Sequence, residues 1–514
     1  MAARRRGRSP RPLRHARGVN LLDRIDAQAI ATPDRVALEG NGERLDYARL
    51  AGAVATLARQ LRREPIRVLG VAMDNRPAWA VIDLAAMAAG ITVVPLPPFF
   101  SAAQIRHAIR DAAIDTVVSD DAATFLSRVG GEMRVNAFFD VEGIALSRID
   151  TGLRGHKVPD GIAKITYTSG TTAEPKGVML GWQHIEPVVR DLADAVGVGG
   201  GDRLLALNPL AVLLENIGSV YVALWSGATA MLPSIRETGL LGAAGIDGAR
   251  MTGLLRESRA ATAIFMPQTL LAVTETLERE GTFLPDLRFA AVGGAPVSPR
   301  LLARAAARGL PVFEGYGMSE CASVMTLNTP AANRPGSVGK PLPHIRLRIG
   351  GDGEVEVFGA TSAGYLGHEA ANEGWWGSGD LGHFDADGYL YLEGRRRNCF
   401  ITAFGRNVAP EWVEKELTLE QAIAQAAVFG EARAFNVAVL VPASGADAQA
   451  VTAAVQRANA GLPDYARVAR WLVADDPFTP ANGLFTGTGR VRREAVHAAY
   501  ADALESLFKL ETPA

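Results

Sequence analysis

From Val19 to about Val118 the chain alternates helical and strand patterns, and this rhythm constrains the fold more than any other feature. RLDYARLAGAVATLARQLRR carries apolar residues at helical spacing. IRVLGVAM reads as a short buried strand, NRPAWAVIDLAAMAAG as a helix ended by Gly90, and ITVVPLP as the next strand. Parallel strands need a crossover of a dozen or more residues, usually a helix, so the repeat predicts an α/β protein with parallel sheets. The pattern returns at DRLLALNPL, ENIGSVYVALWSG and ATAML, and again at ATAIFMP and LRFAAVGGAP. After Gly336 the texture changes. IRLRIGGDGEVEVFG and HFDADGYLYLEG alternate apolar and polar residues around Asp-Gly turns, which predicts antiparallel hairpins. From Arg395 a mixed pattern runs to the helix-like EAVHAAYADALESLFKL, and a domain boundary is placed near Arg395–Arg397. A chain of 514 residues is too long for one ordinary core, so at least two domains are expected.

Composition removes several function classes. A net charge of −2 gives no argument for nucleic acid or an anionic membrane as the main partner. Two cysteines, Cys321 and Cys399, make no disulfide framework and suit a reducing cytoplasm. Neither has metal-ligand company nearby, so no zinc site is expected. The most apolar stretch, Ala78 to Phe100, is interrupted by Asp83 and three prolines, and no membrane span is expected. Residues 1–18, rich in Arg and Pro without an apolar h-region, are not a secretory signal. They read as a disordered basic tail or an over-long start, with a transit peptide as the alternative.

The chemistry-bearing stretch is YTSGTTAEPKG, residues 167–177. It follows an apolar run (Ile162, Ile165, Tyr167) that looks like the end of a strand. Thr168, Ser169, Thr171 and Thr172 offer hydroxyl donors. Gly170 and Gly177 let the backbone turn its N–H groups toward an anion, and Lys176 adds a full positive charge. A polyphosphate is the natural guest. The order differs from a Walker loop, which ends Gly-Lys-Ser/Thr, whereas here Lys-Gly follows a proline. The chain has six lysines, at 157, 164, 176, 340, 415 and 509, among 53 basic residues. Against that arginine-rich background a lysine in this loop carries weight.

Four further segments join it. AVGGAPVS (291–298) is a strand running into small residues against which a flat ring could lie. EGYGMSE (314–320) sets Tyr316 between two glycines, with Ser319 and Glu320 able to meet phosphate and its Mg²⁺. GSGDLG (377–382) holds Asp380 in a glycine-flanked turn, and a ribose diol wants such a bidentate acceptor. GRRRNCFITAFGRNVAPEWVE (394–414) offers a charged hinge, a hairpin and a helix start at Pro410. Taken singly, each has an ordinary structural explanation: a turn, a buried tyrosine or a surface acid.

Together, in this order and spacing, the five segments resemble the acyl-adenylate-forming superfamily: acyl-CoA synthetases, peptide-synthetase adenylation domains and beetle luciferase. The resemblance covers nearly the whole chain after the tail. VPLPPFFSAAQ, NPLAVLLENIGSVYVALWSGA, GYGMSE and NVAPEWVE look most like the fatty acyl-CoA ligase branch. It implies a large N-terminal domain (19–396) of two α/β sheets plus a small β-barrel, and a smaller mobile α+β C-terminal lid (397–514). It also implies a two-step reaction, in which a carboxylate attacks ATP to give acyl-AMP and a thiol then displaces AMP. By the same resemblance Thr168, Ser169, Gly170, Thr171, Thr172 and Lys176 would hold the outer phosphates. Gly294, Ala295 and Pro296 would line adenine, with Tyr316 stacking. Ser319 would meet phosphate and Glu320 the Mg²⁺, while Asp380 and Arg395 would hold the ribose. Arg397 falls at the hinge position, and Gly405 in the loop approaching the thiol tunnel. The cofactors implied are ATP, Mg²⁺ and coenzyme A, or carrier-protein phosphopantetheine.

The sequence departs from the family pattern at three places. The catalytic lysine of the C-terminal motif is Arg490 here, in NGLFTGTGRVRRE. Arginine keeps the charge but presents a wider planar fork. A Thr-His pair common after the loop is Gly181–Trp182, and the usual histidine of the next motif is Val212. The expected activity is that of an ATP-dependent ligase joining a fatty or otherwise apolar acid to coenzyme A. The alternatives are a ligase that loads an acyl carrier protein, and an ATP-binding protein of weakened turnover.

Overall fold

The computed structural model describes residues 20–131, 133–154, 158–168, 175–241, 245–368, 374–404, 406–486 and 489–509. The basic tail expected at 1–18, the loop residues Ser169, Gly170, Thr171 and Thr172, and Gly405 lie outside the described residues.

Two large sheets form the N-terminal part. In the seven-stranded sheet, Val68–Ala72, Thr92–Pro95, Thr116–Ser119 and Lys164–Thr168 run parallel at the centre. The Arg134–Val141/Ile144–Asp150 hairpin closes one side, and Lys176–Leu180 pairs antiparallel on the other. In the nine-stranded sheet, Arg203–Leu205, Thr229–Met231, Thr262–Phe265, Phe289–Val292 and Val312–Tyr316 are parallel. The helices Tyr47–Leu61, Pro77–Ala89 and Trp182–Val196 share one apolar cluster with Leu69 and Val93 of the first sheet and Leu38 and Leu204 of the second. Their apolar faces therefore pack in the core that the two sheets share, and of the three Pro77–Ala89 is buried nearly throughout. This explains why Pro77–Ala89 is apolar nearly all round rather than on one stripe. Gly90 ends that helix at φ +73°, a conformation glycine reaches without steric cost.

The expected α/β architecture is present, and the small barrel takes the form of a half-barrel. Ile345–Ile349, Glu354–Gly359, Trp376–Phe384 and Leu390–Arg395 make a four-stranded antiparallel sheet. The C-terminal part builds its own core on Ile423–Phe429, Asn436–Pro442 and Val468–Val473, with the helices Pro410–Thr418 and Ala448–Ala460 against them.

The segment ENIGSVYVALWSG becomes a π-helix over Asn216–Tyr221, flanked by short α-helical turns. It carries a buried polar network. Lys164 Nζ donates to Asp83 Oδ2 (3.0 Å), Asn216 Oδ1 (2.5 Å) and Tyr221 Oη (2.9 Å), and Tyr221 in turn donates to Asp83 (2.5 Å). Lys164 is 1% exposed and Asp83 2%. Burial pulls the lysine down from its ordinary value, while Asp83 opposes that pull.

A turn earlier, Glu215 is fully buried. It accepts from the Asn208 backbone (3.2 Å), Asn208 Nδ2 (2.6 Å) and the Ser219 hydroxyl (2.5 Å). Burial lifts its carboxyl to about 7 against those donors. A carboxyl raised on folding keeps its proton in the native state after the unfolded chain has lost it. Its stabilising share is therefore complete below the ordinary value of 4.5 and is lost as pH rises through about 7. Glu215→Gln, which cannot ionise, should gain stability over the parent by about 3 kcal/mol more at pH 8 than at pH 4. Urea titrations at both pH values measure this, and an equal difference at both would refute it.

Candidate active site

The site residues gather where the carboxyl ends of the parallel strands meet the C-terminal part, the usual location for a ligand in an open α/β sheet. Strand Phe289–Val292 ends in the Gly293–Pro296 turn, whose Gly294, Ala295 and Pro296 are all exposed. Strand Val312–Tyr316 delivers Tyr316, followed by a single 3₁₀ turn at Ser319–Cys321. Gly317 permits the loop to fold back on itself: a Cβ there would sit 1.5 Å from the Ser323 carbonyl oxygen. Beyond Glu320 the backbone is strained, with Ala322 at φ +51° and Ser323 at φ +99°. Such strain persists only where the surrounding structure over-determines it, and it concentrates at functional sites.

Asp380 and Arg395 are cross-strand partners, and Asp380 Oδ1 forms an ion pair with Arg395 Nε at 2.8 Å. Asp380 Oδ2 accepts from the Tyr316 hydroxyl at 2.5 Å. Burial raises the Asp380 carboxyl, while Arg395 and the Tyr316 hydrogen bond pull it back. An ionised carboxylate has about four acceptor positions, so with the Tyr316 hydroxyl on one of them acceptor capacity is left for a diol. Tyr316 itself is 9% exposed, held by this hydrogen bond and by the apolar cluster that includes Cys321, Met325 and Val355.

At the other end, Thr168 pairs with Lys176 across the antiparallel strands that flank the segment expected to hold phosphate. Lys176 Nζ stands 5.2 Å from the centre of the Tyr365 ring, and the Tyr365 hydroxyl donates to Glu320 Oε1 at 2.6 Å. Tyr365 thus links the lysine and the carboxylate expected at the phosphates. It was not foreseen from sequence, since a tyrosine in the linker GYLGH carries no local signal. Among the described residues no group of three or more His, Cys, Asp or Glu is placed to hold a metal ion. A Mg²⁺ supported by Glu320 alone would draw its remaining ligands from phosphate and water, the usual habit of that ion.

Arg490 reaches this cleft from the C-terminal part. Its Nη2 donates to the Gly294 carbonyl at 2.6 Å. The residue is exposed. Desolvation by the neighbouring protein lowers its pKa first, Arg395 adds to the lowering, and Asp380, Glu411 and Glu320 oppose it. The guanidinium stays charged in any case. Of its five N–H donors only this one has a hydrogen-bond partner among the described residues. The two departures on the acid side are packed rather than idle. Trp182 opens its helix with its ring 5.6 Å from Tyr221, and Val212 caps the short helix Leu213–Glu215. Arg397 is exposed.

The sequence pattern of the family described as AMP-binding enzyme matches residues 25–367, and that of the AMP-binding enzyme C-terminal domain matches residues 398–512. A long-chain-fatty-acid–CoA ligase, FadD15, of Mycobacterium bovis is 27% identical, covering 85% of this chain and 87% of that protein. A 2-succinylbenzoate–CoA ligase of Bacillus mycoides is 28% identical over 79% of this chain and 84% of its own. Among solved structures, the o-succinylbenzoate CoA synthetase of Bacillus subtilis with its acyl-adenylate intermediate superposes with a TM-score of 0.74. It is 23% identical, covering 92% of this chain and 97% of that one, and shares the fold. The amide bond synthetase McbA of Marinactinospora thermotolerans is 25% identical with a TM-score of 0.72, over 93% of this chain and 99% of that one. No helix among the described residues is long and apolar enough to cross a membrane.

Proposed function

The chain belongs to the AMP-binding enzyme family, and on that premise we propose that it is an ATP-dependent acid–thiol ligase acting on a fatty or otherwise apolar carboxylic acid in the cytoplasm. The observation that carries this reading is the delivery of Arg490 to Gly294, in a cleft it shares with Asp380, Arg395 and Glu320. A cation set between a nucleotide-binding turn and an open cleft suits the transition state of adenylation. There a carboxylate oxygen bonds to the α-phosphorus, the bond from that phosphorus to the bridging oxygen breaks, and pyrophosphate leaves. Charge on the phosphoryl oxygens has to be met by fixed donors. Thr168, Ser169, Gly170, Thr171, Thr172 and Lys176 hold the outer phosphates in this reading, and Glu320 would hold a Mg²⁺ that would neutralise part of their charge. Gly294, Ala295 and Pro296 line the adenine, Tyr316 faces it, Ser319 meets phosphate, and Asp380 with Arg395 holds the ribose. In the second step a thiol sulfur bonds to the acyl carbon, the acyl–oxygen bond breaks, AMP departs and the thiol proton passes to solvent. Residues 19–396 then form the nucleotide-binding domain and 397–514 a mobile lid.

Relatives named for long-chain fatty acids and for 2-succinylbenzoate define the panel to test. Hydroxylamine trapping with ATP, Mg²⁺ and a series of aliphatic and aryl acids should yield an ATP-dependent hydroxamate with an apolar member. No product with any acid would leave an ATP-binding protein of weakened turnover, the reading that Arg490 in place of lysine would then favour. Adding CoA, or a phosphopantetheinylated carrier protein instead, identifies the acceptor; CoA is expected.

A further inference from the structure

One face of the C-terminal part grips the strand-to-helix turn that carries the proposed adenine contacts. Helix Pro410–Thr418 lies against residues 297–300, directly after Gly294–Pro296. Lys415 Nζ donates to the Val297 carbonyl at 3.1 Å. Glu416 Oε1 accepts from the Ser298 hydroxyl at 2.9 Å, and Glu416 is only 5% exposed. The same Ser298 oxygen accepts from the Arg300 backbone N–H at 3.1 Å and so caps helix Pro299–Ala307. One hydroxyl thus ties the lid helix to the helix that follows the nucleotide turn. Arg300 and Arg457 both donate to Glu420, at 3.0 and 2.6 Å, and Leu419 packs on the apolar cluster that includes Val297, Leu301 and Leu302. Glu314, in the middle of the strand that ends at Tyr316, adds a second carboxylate near Lys415.

We propose that Lys415 and Glu416 are positioning residues for the first half-reaction, holding the Gly294–Ser298 backbone in register only while the C-terminal domain is docked in this arrangement. The inference rests on the ligase reading above. Hydrogen bonds from a charged lysine to a backbone carbonyl and from a capping hydroxyl to a buried carboxylate are the stronger kind, because one partner is ionised. Lys415 acts on the Val297 backbone and Glu416 on the Ser298 capping hydroxyl, and neither is among the groups assigned to the nucleotide, so their loss should loosen the turn that Arg490 meets without removing any reacting group. The second half-reaction, with acyl-AMP already formed, needs no phosphoryl geometry at the turn.

The test separates the two steps. Lys415→Met and Glu416→Ala should each lower kcat/KM for ATP in acid-dependent ATP–pyrophosphate exchange about tenfold. Thioester formation from supplied dodecanoyl-AMP and CoA should stay within about twofold of the unmodified protein. Lys415→Arg, which keeps a donor for Val297, and Glu416→Gln, which keeps an acceptor for Ser298, should restore most of the exchange. Exchange unchanged in Lys415→Met and Glu416→Ala, or both half-reactions falling together, overturns the assignment. Should Glu416→Ala not fold, Lys415→Met, which keeps the side-chain stem, decides alone. Absence of exchange by the unmodified protein with every acid of the panel refutes the ligase reading itself, a result distinct from unchanged exchange in the variants.

Discussion

Arg490→Ala should lower acid-dependent ATP–pyrophosphate exchange by about 10²- to 10³-fold, the usual effect of deleting one fixed donor at a developing oxyanion. The reason lies in how the side chain is held. Its backbone N–H donates to the Thr486 hydroxyl at 2.9 Å, and Nη2 is fastened to Gly294 at 2.6 Å, so the guanidinium is aimed before any ligand arrives. Its other donors remain for a carboxylate and a phosphate. Arg490→Lys keeps the charge on a more compact head and gives up the fork, and should recover part of the exchange, leaving a loss of about tenfold. The measurement is exchange with the best acid of the hydroxamate panel, together with thioester formation from supplied acyl-AMP, which should fall much less. Unchanged exchange in Arg490→Ala would show that another group stabilises the transferred phosphoryl.

The largest stability effect is expected at Lys164. Lys164→Ala leaves Asp83 buried without its cation and should cost about 3–5 kcal/mol, read as a lower urea midpoint. The double substitution Lys164→Met with Asp83→Leu should recover most of that loss, because apolar groups of similar volume avoid the desolvation cost of both ions. A double variant as unstable as the single one would mean that Asn216 and Tyr221, rather than the ion pair, set the stability of the network. The network also lies next to the candidate site, since Lys164 begins the strand that ends at Thr168, the first of the residues proposed to hold the outer phosphates.

Much of the fold was legible because its signals are local. The alternation of strand and helix patterns, Gly90 at a helix exit and the Asp-Gly turns each act within a few residues, and each falls where expected. The candidate site was legible as an ordered set of segments, and the described ones converge. Tyr316 meets Asp380, Asp380 meets Arg395, and Arg490 comes to Gly294. Tyr365, Lys164 and Lys415 gave no such signal. Asp83 read only as a break in an apolar run, whereas it closes an ion pair with a residue 81 positions away. Lys415 stands far from Arg490 in sequence, yet the two touch carbonyls three residues apart in the N-terminal part, those of Val297 and Gly294.

By itself, then, the sequence determined the α/β class, the family and the kinds of group that can meet a nucleotide, because backbone periodicity, turn chemistry and charge type are properties of short segments. Only the tertiary structure decided which of those groups come together, that Arg490 is tethered to the Gly294 carbonyl, and that Lys415 and Glu416 of the C-terminal part hold Val297 and Ser298 just beyond it. Such pairings depend on how distant elements pack, and packing is driven by burial of apolar area, a non-directional force that leaves no mark on the spacing of the residues it brings together.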